Sequence, residues 1–122
     1  MKVKIDTKEK FSVLTLQEPV LYANMTEELE YLLLSFLERE KKSLVLKMAE
    51  VNELDEPIAR SLINTQQKFY GNNLSFVICE IRPPAENYLH KLSLLEMMNV
   101  TPTESEAWDI VQLEEIEREL MD

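Results

Sequence analysis

The residues whose types and spacing could do chemistry are three carboxylates, Glu53, Asp55 and Glu56, followed at once by Pro57 and Ile58. Clustered carboxylates can ligate a hard cation, and a positioned pair can serve as acid and base. Here the other half of either chemistry is missing. The only histidine, His90, has no His or Cys at ligand spacing, and the only cysteine, Cys79, ends an apolar run with Arg82 as its one nearby cation. A reactive thiolate needs a positive neighbourhood, and acid–base work needs a second positioned group. One glycine, Gly71, leaves no room for a Gly-rich phosphate loop. These residues predict no enzyme, no metal site and no cofactor.

The same carboxylates make better sense as a helix start. Residues 44–48 are apolar except for Lys47, the pattern of a strand buried on both faces. A short polar turn follows, and then Asp55-Glu56-Pro57 supplies a good N-cap and a proline suited to the first turn. At strand-to-helix turns of alternating β/α domains the backbone N–H groups point outward, and ligands and partners are met there. The predicted contact surface is Asn52, Glu53, Asp55, Glu56, Pro57 and Ile58, with Asn24 and Met25 from a neighbouring loop.

The remaining elements must hold that turn in place. Val3 and Ile5, a polar turn, and then residues 11–16 read as a β-hairpin. Pro19 suits an edge strand or a loop. Asn24 with Glu27 resembles a capping box, with Thr26 as the other candidate cap. Leu29, Leu32, Leu33, Phe36 and Leu37 then form one helical face, closed by Lys41 and Lys42. The helix from Asp55 shows Ile58, Leu62, Ile63 and Phe69 and is expected to stop at Gly71 as a left-handed C′ residue. Residues 74–79 form a second buried strand. Pro83-Pro84 opens a helix with Tyr88, Leu89, Leu92, Leu95 and Met98 on its apolar face, and an extended piece near 100–103 leads to a terminal helix. The order predicts an α/β fold with a mixed four- to five-stranded sheet, a hairpin followed by parallel strands, and four helices. Met25, Met48, Met97 and Met98 are expected mostly in the core.

The 122 residues suffice for one domain with its own core. The net charge of −10 opposes nucleic acid and anionic membranes. Residues 104–122 hold eight acids, Asp122 among them, and one base; this −7 leaves −3 for the rest. The boundaries drawn are a domain over 1–112 and an acidic helical tail over 113–122. No apolar run approaches a bilayer span, no signal-peptide core is evident, and a single cysteine suits a reducing compartment, so a cytoplasmic location is expected.

From Met1 to about Gln112 the chain resembles a STAS domain, the module shared by anti-sigma-factor antagonists and the cytoplasmic part of sulfate transporters. The likeness rests on residues 42–63, on the Gly71-Asn72-Asn73-Leu74 turn, and on Leu94-Leu95-Glu96-Met97-Met98-Asn99-Val100. In that family the turn reads Asp-Ser-Ser-Gly, and a partner kinase that is also an anti-sigma factor phosphorylates the second serine. Asp55 matches the Asp, whereas Glu56, Pro57 and Ile58 replace Ser-Ser-Gly. Proline offers no hydroxyl for phosphate, and Ser61 and Thr65 lie too far into the helix. Glu56 either imitates a phosphorylated turn or simply complements the helix N-terminus.

The resemblance implies a non-catalytic regulatory protein that binds an anti-sigma factor or a regulatory kinase, without the usual phosphorylation switch. A small-ligand or nucleotide sensor and a homodimeric scaffold stand as alternatives. In the terminal helix Ala107, Trp108, Ile110 and Val111 share one face, and Leu113, Ile116 and Leu120 lie roughly opposite. One straight helix cannot bury both stripes against the same domain.

Overall fold

The first two strands, β1 (Val3–Thr7) and β2 (Phe11–Leu16), form the expected antiparallel hairpin, with Val3 opposite Leu16 and Ile5 opposite Leu14. The structure is a computed structural model and describes residues 1–121; Asp122, counted above with the acidic tail, lies outside the described residues. A two-residue strand β3 (Val20–Leu21) and a 3-10 turn (Ala23–Met25) lead into α1 (Thr26–Ser35). Then follow β4 (Ser43–Lys47), the short β5 (Glu53–Leu54), α2 (Glu56–Gly71), β6 (Phe76–Cys79), α3 (Pro83–Lys91), β7 (Val100–Thr101) and α4 (Glu104–Leu120). The main sheet has the order β1-β2-β4-β6-β7, antiparallel in the hairpin and parallel thereafter. The mixed sheet and the four helices are those the sequence predicts.

The inner strands β2, β4 and β6 are largely apolar because both of their faces are covered, whereas the edge strand β1 is mostly exposed; side chains alternate with period two. Leu14, Leu16, Leu44, Leu46, Phe76 and Ile78 point to one side, where α1, α2 and α3 bury Leu29, Leu33, Ile58, Leu62, Phe69 and Leu89 against them. Phe11, Val13, Val45, Val77 and Cys79 point to the other side and meet only Ala107 and Val111 of α4, with Trp108 and Ile110 at the margin. Trp108 stacks on Phe11 at 4.4 Å between centroids and 19° between planes. Met48 and Met98 belong to the larger core, whereas Met97 is half exposed.

The helix stops differ from expectation. Gly71 is the last residue of α2 and has no positive φ; the left-handed residue is Asn73, at φ 61°. Leu74 N–H donates to Phe69 C=O and Asn73 N–H to Tyr70 C=O, the paired bonds of a Schellman stop with asparagine at C′. Helix α3 ends the same way at Ser93 (φ 58°), where Leu94 N–H donates to Leu89 C=O and Ser93 N–H to His90 C=O. The helical face read through Leu95 and Met98 therefore breaks after Lys91, and those two residues reach the core from a 3-10 turn and the chain beyond it. The capping box at Asn24 is not formed either. Met25 occupies the cap position of α1, its Sδ accepts Tyr22 N–H at 3.3 Å, and the Thr26 hydroxyl donates back to Ala23 C=O.

The cap of α4 is Thr103, whose hydroxyl oxygen accepts Glu106 N–H. Lys47 at the end of β4 ties down its first turn, 3.0 Å from Glu104 and 3.6 Å from Glu80, and the Glu104 carboxylate holds the ammonium above its usual range. Further along, Tyr70 of α2 donates its hydroxyl to Glu114 at 2.7 Å and receives Asn99 Nδ2 at 2.9 Å. Tyr70 is partly buried, 39% exposed in all. Its burial, and then the facing Glu114 carboxylate, push the phenol up to about 12 from an ordinary 10. Since the folded state holds this proton more tightly, the stability linked to it is intact below about pH 10 and is lost as pH climbs towards about 12. Spectrophotometric alkaline titration should show one late tyrosine that Tyr70→Phe removes. If all tyrosines ionise together in the native protein, this contact is absent.

Candidate protein-docking site

The second, smaller ladder builds the site. β3 and β5 pair in parallel, Val20 with Glu53 and Leu21 with Leu54. The Pro19 carbonyl extends the ladder by accepting Asn52 N–H at 2.8 Å and Glu53 N–H at 3.3 Å, and Asp55 N–H donates to Leu21 C=O at 3.0 Å. Pro19 has no N–H to offer, but its carbonyl is free, so the proline serves here as an acceptor at the head of an edge strand. This ladder brings the loop before α1 against the turn before α2.

Asp55 welds the two together. It stands at the cap position of α2 with extended backbone (φ −83°, ψ 158°), yet its side chain caps nothing in that helix. A capping side chain accepts from the second or third N–H of its helix. The second residue is Pro57, which has no N–H, and Ile58 N–H already donates to the Asp55 carbonyl at 3.1 Å. The carboxylate is left free, and its Oδ2 accepts Ala23 N–H at 2.6 Å, an otherwise unsatisfied donor at the start of the neighbouring 3-10 turn. The sequence-based cap is thus corrected: Asp55 caps its neighbour.

Around that weld the expected contact residues fall into two groups. Asn24, Asn52, Glu53 and Pro57 are exposed, and Met25, Asp55 and Glu56 are half-buried, all within one patch around the bond from Ala23 to Asp55. Ile58 does not join them. It is 0% exposed within the core under α1 and α2, so it is withdrawn from the contact surface. Its burial follows from helical spacing, which places Ile58 on the inward face with Leu62, Thr65 and Phe69.

Glu56 pairs with Arg60 one turn on, Nε to Oε2 at 2.8 Å, an exposed pair worth about 0.3–0.5 kcal/mol. Its charge is therefore answered within the helix as well as by the helix N-terminus. Ser61 and Thr65 are 3% and 1% exposed, and the Thr65 hydroxyl donates to Ser61 C=O. Neither hydroxyl is within reach of another protein in the folded state.

One residue of the patch was missed from sequence. Tyr22 immediately precedes the 3-10 turn and is 56% exposed. A large aromatic on a loop between two short elements was the available signal. The isolated reactive groups stay apart from this patch. His90 is exposed on α3. Cys79 is fully buried, and burial, then the nearby Glu80 and Glu104 charges, push its thiol up to about 12. Among the described residues no group of three or more His, Cys, Asp or Glu could hold a metal ion, and no helix is long and apolar enough to cross a membrane.

The sequence profile of the STAS domain matches residues 2–107. No curated protein matches the chain. Among solved structures, an anti-sigma factor antagonist from Mycobacterium paratuberculosis superposes with a TM-score of 0.77 at 18% identity, covering 91% of this chain and 93% of that one. An anti-sigma-factor antagonist (STAS) domain protein from Planctomyces limnophilus gives 0.74 at 13% identity, with coverage of 90% and 97%. The murine solute carrier 26 anion transporter, in its inward-facing state, gives 0.72 at 15% identity over 88% of this chain and 18% of the transporter. At such identities the likeness is one of fold.

Proposed function

Since this chain belongs to the STAS domain family, we propose that it is a non-catalytic regulatory module that binds a protein partner through the patch around Asp55, most simply an anti-sigma factor or a regulatory kinase. The observation that carries the reading is the weld from Asp55 to Ala23, which fixes two exposed loops into one surface before any partner arrives. A preformed surface loses less freedom on association than two independent loops. Tyr22 supplies an aromatic anchor, and Asn24, Asn52 and Glu53 supply polar groups around it. Regulation by phosphate at this turn has no acceptor: Pro57 lacks a hydroxyl, and Ser61 and Thr65 are buried. Binding is therefore constitutive at this turn, or is controlled elsewhere in the chain or on the partner.

The test is affinity capture from native extract with the wild-type chain and with a Tyr22→Ser, Glu53→Lys variant, followed by mass spectrometry. Both substitutions fall on exposed side chains, and surface changes of this kind usually alter stability by no more than about 0.5 kcal/mol. A sigma-regulatory or kinase-like protein should be retained by the wild type and reduced about tenfold by the variant, the loss typical of one good anchor. Equal retention by both proteins refutes the assignment of this patch.

A further inference from the structure

The outward face of α4 plays no part in the patch around Asp55. Leu113, Ile116 and Leu120 are 52%, 53% and 80% exposed, while Ala107 and Val111 on the inward face are buried. At 3.6 residues per turn the three exposed side chains form one stripe, with Asp109 and Glu117 on the same face. The stripe is held in place. Glu114 faces inward and accepts from Tyr70 and Asn99, and Arg118, one turn later, donates its Nη1 to Ser75 Oγ at 3.1 Å. These two anchors lie within the last two turns, so the helix presents its apolar side chains to water as a fixed row.

Charge decides what can cover that row. Arg118 is the only base in α4, and its contact with Ser75 turns it towards the domain. The outward face is left with acids alone beside the apolar stripe. A second copy of the same helix would bring like charges together, and an anionic lipid surface would be repelled in the same way. From this charge complementarity we infer that the stripe docks a cationic amphipathic helix of a partner protein. Leucine-like side chains at i, i+3, i+4 and i+7 would cover Leu113, Ile116 and Leu120, and flanking Lys or Arg would meet Asp109 and Glu117. This surface covers the opposite sheet face from α1, α2 and α3, so it is a second contact, independent of the patch around Asp55.

The experiment is calorimetric titration of the full chain with two synthetic peptides of equal composition. One carries leucines at i, i+3, i+4 and i+7 among lysines, and the other is scrambled. The patterned peptide should bind about tenfold tighter or more than the scrambled one. The Leu113→Gln, Ile116→Gln, Leu120→Gln variant and the Asp109→Lys, Glu117→Lys variant should each weaken it about tenfold. A Glu38→Lys, Glu40→Lys variant, with the same charge change at exposed positions after α1, should stay within about twofold of wild type. The Tyr22→Ser, Glu53→Lys variant should also bind the peptide as wild type does, which separates this test from the previous one. Equal binding of the two peptides, indifference to the glutamine variant, or equal weakening by the Glu38 and Glu40 changes overturns the inference. So does a wild-type dimer in sedimentation that the glutamine variant dissolves, which would assign the stripe to a second copy.

Discussion

Ile58→Lys is expected to leave little folded protein, with the cooperative thermal transition lost by circular dichroism. Ile58 is fully buried among the residues that join α1 and α2 to the sheet. Truncating such a side chain to alanine typically costs about 2–5 kcal/mol. Lysine removes the same packing and adds a charge whose desolvation costs several kcal/mol unless it escapes to water. Together these losses consume most or all of the about 5–15 kcal/mol that holds a typical domain folded. Glu53→Lys, in the same turn but exposed, should leave stability within about 0.5 kcal/mol of wild type. The contrast matters because both residues lie at the proposed docking turn, and loss of binding in an Ile58 variant would otherwise be read as loss of a contact. A folded Ile58→Lys protein with an unchanged melting temperature would show that this residue does not pack as described.

Ile58 also shows where the sequence was legible and where it was misapplied. Its inward direction follows from the spacing of Ile58, Leu62, Ile63 and Phe69, the same periodicity that identified the helix. The continuous apolar runs at β4 and β6 announced strands covered on both faces, and the hairpin followed from alternation in β1 and β2. Helix stops were harder. A glycine is the default left-handed residue, but Gly71 comes two positions too early for the bonds that Phe69 and Tyr70 make, so Asn73 takes the conformation. Ser93 and Lys41 do likewise with no glycine nearby, a tertiary requirement that local propensity does not carry. The β3–β5 ladder was invisible because two-residue strands have no period to detect. Of the site, the turn itself was legible; its union with the loop at Ala23 depended on a contact 32 residues apart in sequence.

That contact gives the second large effect. Asp55→Ala should lower stability by about 1–2 kcal/mol, as expected for a charged acceptor removed from a helix-terminal N–H. The loss should appear locally at the wrong helix for an ordinary cap. Ala23 N–H, and with it the 3-10 turn before α1, should lose hydrogen-exchange protection, while the first turn of α2 keeps its Ile58 and Ala59 N–H bonds to the Asp55 carbonyl. Those two bonds use the main chain, which the substitution leaves intact. Asp55→Asn should recover part of the loss, because the amide oxygen can still accept, though without the charge. The partner patch should follow the same order. With Tyr22, Asn24 and Met25 no longer fixed to the turn, affinity should fall in Asp55→Ala and fall less in Asp55→Asn, although no contact residue has changed. If Asp55→Ala instead frays the start of α2 and leaves Ala23 protected, the carboxylate is an ordinary cap and the two loops are not joined through it.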